Sequence, residues 1–469
     1  MVLSTVAIAR VKSAVRSPTK AEQSFVSGFA AVEDRLAGSG WVSRLRRAAI
    51  DSFELQGLPS RRVEEFKYTD LRERLKYAWQ PALPSSPAPV PSAAHAAINS
   101  ALVTALGPLA ALDAHRIVFV DGQFHSQLSQ LGEFGSAVEA MALAPLLQKA
   151  PGWLEGKFAA DRLGRSDALT LLNTAFMSDG LMLKVKPGQT VTKPVLVVMA
   201  RAGAEPTAAT LRHVIAMEPG AKLTLIEAHV ALPGAATAGL GNVLCDVTVG
   251  EGAALDHICC THPGNTATHL SAIVARLGSK SSYRVFQLTS QTGLARNQLA
   301  VTLTGETATL DISGAMLARG HEHIDTTLTV DHVAPRCESR ELFKCVLDDR
   351  ARGVFQGKII VQPGADKTDG KQMAKALMLS QDAEFCSKPE LEIFADDVAC
   401  GHGATCAELD PELMFYCRSR GIPEAQARAL LIEAFIGEAI DKIADDAVRS
   451  AVLALAQSWL REEAAQSAA

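Results

Sequence analysis

Residues 245–252 read CDVTVGEG, a short alternation of apolar and polar residues that ends at two glycines. Alternation with a period of two gives an extended strand one apolar and one polar face, so this stretch predicts a half-buried β-strand. The glycines favour a tight turn after it, because glycine adopts positive φ without strain. Residues 183–186 (LKVK) and 326–331 (TTLTVD) repeat the pattern. The centre of the chain is therefore predicted to be rich in strands.

The turn signals in this region recur at a nearly constant interval. They occur at positions 187, 219, 250, 278 and 305, which gives steps of 32, 31, 28 and 27 residues. A repeat of this length with little helical pattern is typical of a solenoid, in which each coil buries its inner face against its neighbours. A β-sandwich would have a similar texture, with turns every ~8–12 residues. Turns of both kinds are present, and the long period favours a β-helix.

Helical periodicity flanks the strand-rich centre on both sides. We expect a mainly helical N-terminal domain at 1–175, a parallel β-helix core at 176–407 and a C-terminal helical domain at 408–469. Residues 80–92, QPALPSSPAPVPS, contain five prolines and no charged residue. This composition predicts an extended, polyproline-like connector within the N-terminal domain.

The C-terminal helical segment carries a wide apolar stripe. Its isoleucines at 432, 436, 440 and 443 are spaced by steps of four, four and three residues. Such a stripe must be buried. It either caps the open end of the β-helix or docks a partner protein, and one helix can do both with its two long sides.

Length, charge and cysteine usage limit the class of protein. The chain has 469 residues, of which 48% are hydrophobic, and a net charge of −5. With a pI near 6.2, it has no basic footprint for nucleic acid. Nine cysteines without regular spacing suit a reducing compartment, so we expect a cytoplasmic protein. We also expect neither a signal peptide at the N-terminus nor a membrane span, because no apolar run is long enough.

The densest group of metal-binding side chains lies in residues 391–410, LEIFADDVACGHGATCAELD. Cys400, His402 and Cys406 offer thiolate and imidazole, which zinc, copper and iron-sulfur clusters prefer. A closed structural zinc site would need a second pair of ligands, so an open or shared site is the alternative. In a purely structural role, Cys400 would be a small buried apolar residue.

The sequence lacks the motifs that nucleotide hydrolases, zinc proteases and serine hydrolases require. Residues 364–372, GADKTDGKQ, end in Gln where a P-loop needs Ser or Thr, and neither HExxH nor GxSxG occurs. His321 and His323 are expected to be exposed polar residues on a strand. Asp396 and Asp397 are adjacent, so on a strand they would point to opposite faces and could not act as a paired acid and base.

Residues 388–405 contain the pattern K-P-x-L-E-I-x-A-D-D-V-x-C-x-H-G-A-T, and residues 415–422 read FYCRSRGI. Together they resemble the C-terminal signature of the SufD family of iron-sulfur cluster assembly proteins. Residues 57–69 (GLPSRRVEEFKYT) and 353–359 (GVFQGKI) resemble two further elements of that family. The resemblance covers roughly residues 50 to 445. Gly401 and Cys406 depart from it, and the HGAT sequence favours the SufD type over the SufB type.

The resemblance implies a right-handed parallel β-helix that acts as a scaffold and not as an enzyme. The scaffold would pair with a SufB-type chain and a SufC-type ATPase to build and transfer nascent iron-sulfur clusters, with a role in iron acquisition. Cys400 and His402, and less certainly Cys406, would bind iron or a transient cluster at the interface between the two scaffolds. The isolated chain is expected to form a homodimer.

The resemblance also places the ATPase contact on the C-terminal helices. Ile432, Phe435 and Ile436 are the expected docking residues, because the apolar stripe needs burial. A rival hypothesis is a carbohydrate-active β-helix enzyme, a lyase or a glycosidase, which is supported only by architecture.

Overall fold

The computed structural model describes residues 17–82, 92–130, 134–158 and 167–467. The N-terminal stretch at 1–16, for which no signal peptide is expected, and residues 83–91 of the proline-rich connector lie outside the described residues. Of the connector, Gln80–Pro81 forms a short strand that pairs with Thr207–Ala208.

Among the described residues the chain is mainly β and forms a parallel β-solenoid of about 8 turns. Its strands are β1 (Gln80–Pro81), β2 (His115–Val120), β3 (Gln123–Phe124), β4 (Val138–Ala142), β5 (Leu181–Val185), β6 (Val195–Arg201), β7 (Thr207–Met217), β8 (Lys222–Ala231), β9 (Leu240–Val249), β10 (Ala254–His262), β11 (Gly264–Leu277), β12 (Ser282–Ser290), β13 (Thr292–Leu303), β14 (Thr309–Ala318), β15 (His323–His332), β16 (Glu338–Leu347), β17 (Arg352–Val361), β18 (Asp369–Met378), β19 (Glu384–Ile393) and β20 (Ala399–Ala407).

Two sheets make up the walls of the solenoid, and from β5 onwards consecutive strands alternate between them. One sheet runs β4-β5-β7 and through the odd-numbered strands to β19, and the other runs β3-β2-β6 and through the even-numbered strands to β20. Within the solenoid the pairing is parallel: Ala254 lies opposite Ser282 and Glu338 opposite Asp369, steps of 28 and 31 residues. The prediction of a mainly β, parallel β-helix core flanked by helices is therefore confirmed.

The space between the sheets holds the largest core cluster. Every second residue of a strand points into it, and in β16 Phe343, Cys345 and Leu347 are almost fully buried. Phe343 packs on Phe355 of the facing sheet, with ring centroids 4.9 Å apart. Burial of a side chain of this size stabilises the fold by roughly 1.5–3 kcal/mol.

Helices cover the outer faces of both sheets. The α-helices are α1 (Lys20–Val32), α2 (Trp41–Gln56), α3 (Leu71–Arg74), α4 (Ser92–Leu106), α5 (Ala144–Lys149), α6 (Gly152–Glu155), α7 (Ala168–Phe176), α8 (Pro411–Ser419), α9 (Glu424–Ile440) and α10 (Asp446–Ser467). Helices α1, α2 and α7 pack on the odd-numbered sheet through Leu240, Leu270 and Leu294. Helices α9 and α10 pack on the even-numbered sheet. Among the described residues, none of the helices combines the length and apolar character needed to cross a bilayer.

The apolar stripe of α9 is buried, as predicted, but not at the end of the β-helix. Ile432, Ile436 and Ile440 are at most 1% exposed and share a cluster with Phe286 and Leu317 on the outer face of the even-numbered sheet. The capping interpretation was therefore wrong about which surface the stripe covers. Since β2 and β4 precede residue 176 and already belong to the two sheets, the proposed division into three domains stays a prediction.

Candidate functional site

The last coil of the solenoid, formed by β19 and β20, ends both sheets. Among the described residues no strand pairs with the outer edge of either one. The residues of β19 and β20 are half-buried or exposed, in contrast to the equivalent strands of the preceding coils. An unpaired edge presents backbone N–H and C=O groups to any chain that can add a strand or cover it.

The three candidate ligands lie on β20, in register with inward-pointing positions of β18. Cys400 lies opposite Gly370, His402 opposite Gln372 and Cys406 opposite Ala376. Those three residues of β18 are buried in the interior. Since alternate residues share a face of a strand, the two thiols and the imidazole lie in one row at the open end of the solenoid.

The candidate ligands differ in exposure. Cys400 is half-buried and packs against the main core cluster, whereas His402 and Cys406 are exposed. Burial raises the pKa of the Cys400 thiol above its usual value, and the carboxylates of Asp369 and Glu341 raise it further, against the opposing effect of the Gly370 backbone N–H. Burial also raises the pKa of Cys406. Both thiols therefore need a metal ion to displace their protons at neutral pH.

A column of polar side chains leads inward from His402. Beneath it in register lie Gln372 of β18 and then Glu341 of β16, which are 3% and 2% exposed. The Nε2 of Gln372 donates to the carbonyl of Gly357 at 3.3 Å, and a Cβ on Gly357 would lie only 2.2 Å from Gln372 Oε1. Gly357, the second glycine of the GVFQGKI element, thus makes room for Gln372 under the site. Sequence reasoning missed this column because its members are about thirty residues apart.

Burial raises the pKa of Glu341 to about 8, although Ser339 and Arg340 favour its carboxylate form. At neutral pH this side chain is therefore a neutral acid beneath the site. At Gly401 the structure has room for glycine or for a residue with a side chain, since a Cβ there would meet no atom within 4 Å.

The N-terminal element at 57–69 has a structural role. Its Thr69 hydroxyl contacts Nε2 of His323 at 2.8 Å and donates to Asp325. Arg296 pairs with the same carboxylate at 2.5 Å and lies 4.4 Å from the ring of Phe66. His323 is fully buried here, so the expectation that it is an exposed strand residue was wrong. The N-terminal helices cover the outer face of this sheet. The alternation of residues along the strand does not indicate that a helix lies over His323.

The acidic pair of the signature lies outside a strand. Asp396 and Asp397 sit in the bend between β19 and β20, so the expectation of opposite strand faces was wrong. Asp397 forms an ion pair with Lys367, and its carbonyl accepts a hydrogen bond from the backbone N–H of the same lysine. The pair holds the turn of the last coil.

The residues expected to dock the ATPase lie on α9. Ile432 and Ile436 are fully buried against the sheet. Phe435 is half-buried, and Lys344 Nζ lies 4.4 Å from the centroid of its ring. While α9 stays packed on the sheet, the two isoleucines are not accessible to a partner protein, and their docking role stays a prediction.

The neighbouring α8 presents a different surface. Leu413, Phe415 and Tyr416 are 49%, 74% and 57% exposed, and no residue of α8 is buried. These three side chains are called the α8 patch below.

Comparison with known proteins finds matches over most of the chain. Residues 19–197 match the family model of the SufBD protein N-terminal region, and residues 198–435 match that of the SUF system FeS cluster assembly SufBD core domain. The chain is 30% identical over 415 residues to the iron-sulfur cluster assembly protein SufD of Escherichia coli, covering 85% of this chain and 88% of that protein. It is 28% identical over 431 residues to an iron-sulfur cluster assembly SufBD family protein of Synechocystis, covering 90% of each chain.

Proposed function

This chain belongs to the SufBD family of iron-sulfur cluster assembly proteins and is SufD-like, and we propose that it is a scaffold subunit that pairs with a SufB-type chain and a SufC-type ATPase. The assembled complex builds nascent iron-sulfur clusters and transfers them to acceptor proteins. In this proposal the chain itself contributes to iron acquisition, and the ATP hydrolysis resides in the partner. The proposed compartment is the cytoplasm, in keeping with nine cysteines that are all free.

The observation that carries the proposal is the open last coil. An uncovered β-helix end exposes interior side chains and unpaired edges, which favours association with a second chain of similar shape. Ile393 and Phe394 at the end of β19 are 41% and 60% exposed, so the rim of this end carries two exposed apolar side chains. A paralogous scaffold that covers the rim would enclose the row of Cys400 and His402 within the interface.

The chemistry of that row suits iron. Cys400 and His402 are two residues apart on one strand face, so one iron can reach a thiolate sulfur and an imidazole nitrogen together. Cys406 lies four residues further along the same row and supplies a second thiolate. The iron or transient cluster is cargo here, and the remaining ligands come from the partner scaffold.

The ATPase contact is proposed for the C-terminal helices. The α8 patch supplies three exposed apolar side chains on a helix with no buried residue, and such a surface is typical of a protein contact. Phe435 of α9, the next helix along the chain, is half-buried and is a further candidate for this contact. Alone, the chain is proposed to form a homodimer through the same open end.

Purification of the tagged chain from its native host tests the proposal. A SufB-type scaffold and a SufC-type ATPase should co-purify with it. Replacing Phe394 by Lys should reduce recovery of the scaffold, because it replaces an exposed apolar side chain of the rim with a charged one. The matched control is Leu55→Lys on α2, where Leu55 is 87% exposed. Absence of both partners, or equal recovery with the two variants, would contradict the proposal.

A further inference from the structure

A second group of metal-binding side chains lies inside the β-helix, far from the open end. Glu227 of β8 and His257 and Cys259 of β10 are buried, and one possible ligand atom of each lies within 4.8 Å of the others. Cys259 lies directly opposite Glu227 in the register of the two strands. From β10 to β20 the sheet advances five strands, or roughly 24 Å at about 4.8 Å per strand.

The imidazole of His257 is held in a fixed orientation. Its Nε2 lies 3.0 Å from Glu227 Oε1, and its Nδ1 lies 2.9 Å from the hydroxyl oxygen of Tyr283. When Nδ1 carries the hydrogen and donates to Tyr283, the lone pair of Nε2 points towards the carboxylate. Metal-binding histidines in proteins are oriented in this way by a second partner on the other ring nitrogen.

A cavity of about 40 Å³ borders His229, which lies next to Glu227 on the same face of β8. His229 and His269 line the cavity, and their rings are in edge contact with centroids 4.5 Å apart. Nε2 of His229 lies 3.6 Å from Glu227 Oε2. His269 is only 2% exposed, and its Nε2 has no hydrogen-bond partner among the described residues. A buried imidazole nitrogen without a partner is costly unless a solute or ion uses it.

The charges of the group balance with a divalent ion. A carboxylate, a thiolate and a neutral imidazole carry a total charge of −2, so a divalent cation gives a neutral set, which is the least costly state in a low-dielectric interior. Binding releases the thiol proton of Cys259 to solvent, and no electrons are transferred. A mixed set of nitrogen, sulfur and oxygen donors selects Zn²⁺ or Fe²⁺ over Mg²⁺.

We propose that Glu227, His257 and Cys259 form a buried binding site for a divalent transition-metal ion, Zn²⁺ or Fe²⁺. His229 and His269 form the route by which the ion reaches it. Cys245 faces the same carboxylate from the opposite sheet and is a further thiol available to the ion. The site does not depend on the proposed function of the open end.

Metal content of the full-length chain tests this site. The chain is stripped with a chelator, equilibrated anaerobically with Zn²⁺, Fe²⁺ or Mg²⁺, passed through a desalting column and analysed for bound metal. The background is the triple variant Cys400→Ala, His402→Ala and Cys406→Ala, which removes the three candidate ligands at the open end. It should retain one Zn²⁺ or Fe²⁺ per chain and no Mg²⁺.

Two neighbouring cysteines provide a matched comparison in that background. Cys259 faces the interior, whereas Cys260 is also buried but belongs to the cluster under the C-terminal helices. Cys259→Ala should lose the ion and Cys260→Ala should retain it. Glu227→Gln, which preserves the side-chain shape, should also lose it, so the proposal stays testable if one variant folds poorly. Absence of bound metal in the background, or equal metal content in Cys259→Ala and Cys260→Ala, would overturn the site. Neither outcome affects the proposed function at Cys400 and His402.

Discussion

Cys400 lies opposite Gly370 in the pairing of β20 with β18, so the thiol continues the interior row of a coil that no described strand covers. Deep in the β-helix such a position would be closed by the next coil. At the last coil the same position is half-open to solvent. The fold thereby places metal-binding side chains where a second chain can reach them.

The contact between Gly357 and Gln372 supports the floor of this site. Replacing Gly357 by Ala should lower the free energy of unfolding by about 1 kcal/mol, because the new methyl group displaces the buried amide of Gln372 from its hydrogen bond to the Gly357 carbonyl. Urea denaturation measures the change. Gly401→Ala on β20 is the matched control and should change stability by about 0.5 kcal/mol or less, since its Cβ meets no atom within 4 Å. Equal effects of the two substitutions would contradict the packing described.

Glu341 gives the stability a specific dependence on pH. The pKa of Glu341 is raised from 4.5 to about 8 in the fold, so between these values the folded state holds a proton that the unfolded state has lost. The protonated form of Glu341 therefore stabilises the folded state at low pH. As the pH rises through this window, the free energy of unfolding falls by about 1.4 kcal/mol per pH unit. Glu341→Gln should match the wild type near pH 4.5 and exceed it by a few kcal/mol near pH 8. Parallel pH curves of unfolding free energy for the two proteins would show this account to be wrong.

Substitutions on α8 and on α9 should have different effects, the first on ATPase docking and the second on folding. Phe415→Ser and Tyr416→Ser should weaken co-purification of the ATPase while stability changes by about 0.5 kcal/mol or less, because both side chains are exposed. Ile436→Ser should instead destabilise the chain by about 3 kcal/mol or more, since it places a hydroxyl in a buried apolar cluster. Pull-down and urea denaturation are measured on the same preparations. Undiminished ATPase recovery with the double α8 variant would exclude the α8 patch as the contact.

The sequence predicted the solenoid because its turns repeat at the length of one coil. It also predicted that the stripe of Ile432 and Ile436 is buried, but not that the outer face of a sheet buries it, since a helical pattern indicates an apolar side and not its partner. The burial of His323 was missed for the same reason, because the covering Thr69 lies 254 residues away.

No short sequence motif indicates the interior group of Glu227, His257 and Cys259. Cys259 lies opposite Glu227 at a separation of 32 residues, which is the coil repeat itself. Comparing polar residues one coil apart would have brought these two together. The same comparison would have placed Gln372 beneath His402, so the repeat carries site information once the register is known.

The rate of cluster formation by the assembled complex tests the central claim most directly. Cys400→Ala and His402→Ala should each lower the rate of iron- and sulfide-dependent cluster formation, followed by visible absorbance under anaerobic conditions. The cost in stability should be about 1 kcal/mol for half-buried Cys400 and about 0.5 kcal/mol or less for exposed His402. Cys386→Ala in β19 is the control, a half-buried thiol of the same coil that contacts Arg352 instead of the row of β20, and it should build clusters at the normal rate. Normal cluster formation with Cys400→Ala and His402→Ala, in a complex that still assembles, would contradict the account.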